Sequence, residues 1–380
     1  MTEKLYYINA YLSEFDATVV SCEPCGERFD VILDKTAFFP EEGGQYSDRG
    51  YIGSGRVEEA ILSDGIIHHY SDKPLKAGDL VSCKIDFDER YEKMQCHSGE
   101  HILSGLIHGL YGLNNVGFHL GALEVTMDVD APLTREQLDR VEELANEIIY
   151  KNVEITTEFP KAEELSSLEY RSKLDLKDNV RIVRIGEYDA CACCAPHVKY
   201  TGEIGCIKIL DFAKLRGGIR IRITAGRRAM REFRELYTNA QAVSALLSVP
   251  KSDIKEGTER LLSALSEEKA AFSEYKLRRI AKEAEAMEYS SGNAVCVFED
   301  AAMEELIAFA NIATSKVGGA LVLLSGTDGA YKYVISSASI DLRSIASDIN
   351  KSLLGRGGGK PNMIQGSFAS SLEEIKKYFN

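Results

Sequence analysis

The chain has 380 residues, 44% of them hydrophobic and 27% charged, and a formal net charge of −14. This is the composition of an ordinary soluble globular protein, long enough for two or three domains with cores of their own. The acidic balance excludes a general nucleic-acid coat protein and leaves local basic surface as the relevant test.

No run of 18 apolar residues and no signal pattern in residues 1–30 is present, so no membrane partner and a cytoplasmic location are predicted. In that compartment the nine scattered cysteines are expected to stay reduced, as ligands or core residues. Cys22-Glu23-Pro24-Cys25 has zinc-knuckle spacing without a matching second pair and reads as a turn.

Residues 1–90 read as all-β. Segments 18–22, 29–33, 66–70 and 80–87 are separated by Gly, Asp and Pro clusters, which suits a small barrel or sandwich. Within it, Phe38-Phe39-Pro40-Glu41-Glu42-Gly43-Gly44-Gln45 predicts a rigid turn whose glycines allow close backbone approach. From Tyr91 onward, Met94, Ile102, Leu103, Leu106, Ile107 and Leu110 recur at helical spacing until Gly109 and Gly112 break the run. His97 and His101 lie one turn apart on one face of that helix, where two imidazoles can grip one divalent ion. His108 shares the stripe but lies roughly 16 Å from His97, too far to join them.

Residues 116–121 and 124–128 read as a strand pair, 135–151 as an amphipathic helix, 153–158 as a strand, 162–174 as helical or loose, and 180–185 as a strand. Residues 189–200 read as a loop. In Cys193-Cys194-Ala195-Pro196-His197 a Cys and a His four apart can wrap an ion with soft and borderline ligands, which suits Zn2+. Cys191, Cys193 and Cys194 are all candidates, and spacing alone does not choose among them.

Residues 204–210 and 219–224 read as strands, and Arg220 and Arg222 alternate onto one face of the second. With Lys214, Arg216, Arg227, Arg228 and Arg231 close by, this is the most basic stretch of an acidic chain and a candidate for holding phosphates beside the metal. Residues 229–290 read as a helical hairpin or short coiled coil, broken near Leu247 and Pro250, that serves as a spacer or a dimer seam. Residues 291–380 read as a separate α/β unit with strands at 294–298, 320–324 and 331–336 and helices at 302–316 and 342–354. Its segment 355–366, with Arg356 and Lys360 beside Gly355, Gly357, Gly358 and Gly359, reads as a phosphate-cradling loop. It lacks the Gly-Lys-Ser/Thr ending of a nucleotide P-loop, so NTP binding is not expected.

The two half-motifs, the Gly-Gly-Gln turn, Thr201-Gly202-Glu203-Ile204-Gly205 and the final glycine-rich segment together resemble the alanyl-tRNA editing (AlaX) family in its long form, over essentially the whole chain. The resemblance implies an α+β chain of four parts. These are a small β-barrel-like subdomain (1–90), a zinc-containing editing domain (91–228), a helical hairpin linker (229–290) and a DHH-associated nucleic-acid-binding domain of α/β type (291–380). It implies His97, His101, Cys193 and His197 as zinc ligands, and Gln45 in the substrate pocket. Glu100 or His119 would move the proton to the leaving ribose oxygen, and Arg220, Arg222, Arg227, Arg228, Arg356 and Lys360 would contact RNA.

The implied reaction is hydrolysis of serine, and of glycine, from mischarged alanine tRNA. It would act in trans, since no aminoacylation module precedes the barrel. A homodimer through the 253–288 helix or the C-terminal domain is a further expectation. The sequence departs from the synthetase pattern in reading Ser-Gly-Glu between the histidines and Cys-Cys-Ala-Pro-His in the second motif.

Two other readings compete. His97-Ser98-Gly99-Glu100-His101 fits the His-x-x-Glu-His of inverzincin metallopeptidases, with Glu100 as general base, but that scheme leaves Cys193 and His197 idle. A non-catalytic, zinc-stabilised tRNA-binding protein would use the basic stretches equally well. Four protein ligands normally close a structural zinc site, so a catalytic role requires one of them to yield to water or substrate.

Overall fold

The computed structural model describes residues 1–165, 167–172 and 180–380. The segment 162–174, read as helical or loose, is a short helix at Ala162–Leu165; residues 166, 173 and 174 lie outside the described residues.

After a short strand, Glu3–Lys4, and a short helix, Leu5–Ile8, the mixed α+β architecture has six antiparallel strands: Glu14–Cys25, Arg28–Leu33, Gly50–Ile52, Gly55–Ser63, Ile66–Ser71 and Leu80–Ile85. They pair in a closed order, with Leu80–Ile85 joining Gly50–Ile52 on one side and Glu14–Cys25 on the other. In Ile66–Ser71 every second residue is buried, so Ile67, His69 and Ser71 point inward. Val19, Val31, Leu33, Phe38, Phe39, Ile52 and Ile85 fill the interior, and ring closure leaves no edge strand exposed.

A 25-residue helix, Phe87–Tyr111, follows and ends at Gly112, whose left-handed conformation (φ 67°) lets its N–H cap the carbonyl of His108. It is buried over most of its length, which explains its weak amphipathic pattern. Even Arg90 and Lys93 are fully buried on it. Arg90 bonds the Asp48 carboxylate (Nε to Oδ2, 2.8 Å) and the Ala37 carbonyl, while Lys93 Nζ donates to Ser47 O at 2.7 Å. These contacts clamp the helix to the barrel.

On its other side lies a four-stranded sheet ordered Ile207–Leu215, Gly218–Ala225, Val125–Val129, Asn115–Leu120. The helix Arg135–Tyr150 covers this core and starts at a reciprocal Thr134–Gln137 capping box.

A three-stranded sheet, Ile155–Glu158, Ile182–Ile185 and Asp189–Ala192, corrects the expected extent of the cysteine loop. Asp189–Ala192 pairs with Ile182–Ile185, so the loop starts only at Cys193. Asp-Ala-Cys-Ala has little strand propensity of its own. The neighbouring Ile-Val-Arg-Ile strand imposes the pairing.

The chain divides into two compact units, Met1–Ala240 and Gln241–Asn380, with the helix Gly226–Leu247 running across the division. The second unit holds the helix Ile254–Ala286 and a five-stranded sheet ordered Ala294–Phe298, Leu321–Ser325, Tyr331–Ser336, Met363–Phe368, Gly355–Lys360. Only the first pair is parallel.

The expected phosphate-cradling loop is therefore corrected: Gly355–Lys360 is a strand at the sheet edge, in a hairpin with Met363–Phe368. Its glycines serve close packing. A Cβ at Gly357 would stand 2.3 Å from the Tyr333 hydroxyl. Arg356 and Lys360 are exposed on that strand.

Candidate metal centre

His97 and His101 are both buried on the long helix, and Cys193 and His197 come from the loop that follows Asp189–Ala192. The ligand atoms of these four residues all lie within 4.8 Å of one another. Cys193 Sγ is 3.5 Å from His97 Nε2 and 3.4 Å from His197 Nε2. A tetrahedral ion with ordinary zinc–nitrogen and zinc–sulfur bonds would set that edge at about 3.5 Å.

Each imidazole is held from behind through Nδ1. His97 meets Gln45 Oε1 at 2.9 Å, His101 meets Asp189 Oδ2 at 3.0 Å, and His197 meets Ser98 Oγ at 3.0 Å. The first two partners accept, so His97 and His101 carry their protons on Nδ1. Ser98 Oγ also accepts the Val198 N–H at 3.3 Å. In their neutral forms His97 and His101 then present Nε2 lone pairs to a common ion, and His197 does the same where Ser98 Oγ accepts from its Nδ1, the usual arrangement around ligating histidines.

The electrostatics agree. Burial pushes the Cys193 thiol up, but the surrounding imidazoles of His97, His197 and His101 outweigh it and hold it well below its usual range. Burial pushes His197 down to about 3. Burial opposes charge on His101 as well, yet Asp189 and Cys193 overcome it and hold that imidazole well above its usual range. The set thus favours a thiolate and a neutral His197, and an incoming metal would displace the His101 proton. These residues fit a zinc ion.

The Gly-Gly-Gln turn makes the close approach read from its sequence. Gly44 has φ +82°, accepts the Leu120 N–H at 2.7 Å, and has no room for a Cβ, which would stand 2.2 Å from the Phe118 carbonyl oxygen. Gln45, expected in the substrate pocket, is wholly buried and its Oε1 is used on His97.

Glu100 is buried and lines the cleft in front of the cluster. Its Oε1 accepts from Ser104 and Asn115, while its other oxygen takes no hydrogen bond among the described residues. His119 is corrected: it is exposed, on the strand face opposite Phe118, whose ring packs 4.7 Å from His97. The two-residue period of a strand forbids both neighbours from facing the cluster.

The basic stretch is largely compensated. Arg220 forms two 2.7 Å bonds to Asp128, Arg222 pairs with Asp211, Arg227 with Asp88 and Arg231 with Glu92. Arg228 approaches Glu92 and donates to the Gly121 carbonyl at 2.8 Å.

The cleft measures about 1480 Å³, and Tyr7, Glu42, Glu100, Arg171 and Arg181 are among its walls. Four residues here have no counterpart in the sequence reading. Asp189 and Ser98 orient imidazoles, Arg171 donates to Asp189 Oδ1 at 2.7 Å, and Arg181 holds the cysteine loop. For Ser98 and Asp189 the only available signal was position: one adjoins His97 and the other precedes Cys193 by four.

Three segments of this chain match family models, two of them named for tRNA synthetases. Family models match at residues 8–89 (tRNA synthetases class II (A)), 180–224 (threonyl and alanyl tRNA synthetase second additional domain) and 291–380 (DHHA1 domain). An alanyl-tRNA editing protein of Pyrococcus horikoshii, AlaX-L, is 30% identical over 99% of this chain and 96% of its own length. The alanyl-tRNA editing protein Aarsd1 of Mus musculus is 27% identical over 94% of this chain and 92% of its own. The alanine–tRNA ligase of Methanoregula boonei is 31% identical over 96% of this chain but only 41% of the ligase. The chain belongs to the alanyl-tRNA editing protein family, in its AlaX form.

Proposed function

We propose that this chain is an aminoacyl-tRNA deacylase. It hydrolyses, in trans and in the cytoplasm, the ester that joins a wrong amino acid, serine foremost and glycine second, to alanine tRNA. Family membership supports the reaction class. The observation that carries the site is the three imidazoles, each tied down at Nδ1 and each presenting Nε2 toward the Cys193 thiolate in an open cleft. Editing answers a physical need: a synthetase pocket for a small side chain discriminates poorly by binding alone.

In this reading His97, His101, Cys193 and His197 hold zinc. Bound there, zinc would polarise the ester carbonyl or lower the pKa of a water. Gln45, Asp189 and Ser98 keep the imidazoles aligned. Glu100, anchored through Oε1 by Ser104 and Asn115, turns its remaining oxygen to proton transfer at the leaving ribose oxygen. His119 has no part in it. The barrel and the cluster-bearing domain together form the editing portion, the helices of 229–290 are the spacer, and 291–380 is the RNA-binding end, with Arg356 and Lys360 as phosphate contacts. The convergence of Cys193 and His197 on the histidine pair favours this reading over a peptidase, which would leave the loop without a task.

The test is a deacylation panel of Ser-, Gly- and Ala-tRNA(Ala), with and without chelator. Rapid loss of serine, sparing of alanine, abolition by chelator and recovery with zinc are expected. Binding without turnover would instead identify a zinc-stabilised RNA-binding protein.

A further inference from the structure

Two arginines of the first unit are buried, and they differ in one respect. Arg90 pairs with Asp48; Arg181, only 6% exposed, forms no ion pair among the described residues. Its Nη1 donates to the carbonyls of Cys193 (2.9 Å) and Ala195 (2.8 Å), its Nε is buried with no partner, and its Nη2 makes no hydrogen bond there. Those two carbonyl bonds explain one nitrogen and not the charge.

A guanidinium withdrawn from water without a counter-charge is costly to bury. Glu42 lines the same cleft but makes no ion pair with it. A second cation stands close by. Lys4 Nζ and the Arg181 guanidinium each lie 5.4 Å from the centroid of the Tyr7 ring, and all three side chains line the cleft. Lys4 likewise forms no ion pair among the described residues. Both cations thus line the cleft beside the metal cluster without a carboxylate partner among the described residues, while the arginines of 220–231 are paired with carboxylates.

We propose that Arg181 and Lys4, arranged about the Tyr7 ring, form the subsite for the phosphodiester of the RNA's 3′-terminal nucleotide. This rests on the deacylase reading: an aminoacylated ribose at the cluster carries its own 5′-phosphate one sugar away, where the missing counter-charge is needed. The phosphate supplies the missing counter-charge and accepts from Nη2, and the anchored end holds the ester in place.

The test compares binding of adenosine 5′-monophosphate and adenosine to the full-length, zinc-loaded protein by calorimetry, with zinc content measured for every variant. Wild type is expected to prefer the monophosphate by about tenfold, the worth of a charge-assisted contact. Arg181→Gln and Lys4→Gln should each bring that ratio toward one, and Arg181→Lys should keep part of it. Lys4→Gln leaves the bonds to the cysteine loop intact, so it reports even if Arg181→Gln does not fold. Equal binding of the two ligands by wild type, or variants that weaken both alike and leave the ratio unchanged, would overturn the subsite. Failure of the deacylase reading would look different: no Ser-tRNA(Ala) turnover by wild type, with the monophosphate preference intact.

Discussion

At the scale of single residues, the site depends on acceptors that lie behind the imidazoles. Replacing Asp189 with Asn removes the charge on His101 Nδ1, and Gln45→Ala removes the acceptor on His97. Each is expected to weaken zinc by about 10- to 100-fold, read by competition with a chromophoric chelator. Cys193→Ala should abolish both zinc and turnover; turnover that survived complete zinc loss would show that the metal is dispensable. Glu100→Gln separates proton transfer from metal binding, with zinc retained and kcat down by about 10²-fold or more. Zinc loss in that variant would assign Glu100 a structural task instead. The residue scale is also where spacing left the metal set open. Spacing does not separate Cys191, Cys193 and Cys194; the family resemblance points to Cys193, and the pairing of Ala192 with Ile182 makes it the first thiol to clear the strand.

Among the elements, the barrel and the long helix are held together by buried charge. Arg90→Met would strand the Asp48 carboxylate, which Arg90 and Lys93 hold below the usual carboxylate range against its burial. A loss of about 3–5 kcal/mol is expected in urea unfolding. The barrel also contains a histidine that resists protonation. His69 Nδ1–H donates to Val31 O at 3.0 Å, its Nε2 accepts from Thr36 at 2.9 Å, and burial lowers its pKa to about 4 from 6.5. A lowered folded pKa means that the unfolded chain takes the proton first. Stability from this group is therefore intact above pH 6.5 and should erode by about 1.4 kcal/mol per pH unit as pH falls toward 4. His69→Gln should flatten that part of the stability–pH curve; an unchanged slope would assign it to other groups.

For the whole molecule, the proposed RNA binding has to work against the overall charge. The net charge is −14, so productive contact must rest on a few local cations. Arg356→Ala and Lys360→Ala, on the exposed edge strand, are each expected to weaken tRNA binding and to reduce its logarithmic salt slope by about one. Hydrolysis of a short seryl ester should be unaltered. If the salt slope does not change, the second unit contacts RNA elsewhere.

By itself the sequence determined whatever repeats locally: the strand-rich start, the helix that sets His97 one turn from His101, the helices of 229–290 and the α/β ending. Period and short-range turn chemistry are properties of neighbouring residues, so they survive without a structure. Only the tertiary structure decided what depends on partners distant in the chain. It gave His119 the outward face of its strand and drew Asp189–Ala192 into a sheet. It made the glycine-rich segment an edge strand packed under Tyr333, and it cancelled the arginines of 220–231 against Asp88, Glu92, Asp128 and Asp211. A side chain's charge is written in the sequence, but whether that charge is already neutralised depends on which carboxylate the fold brings within reach.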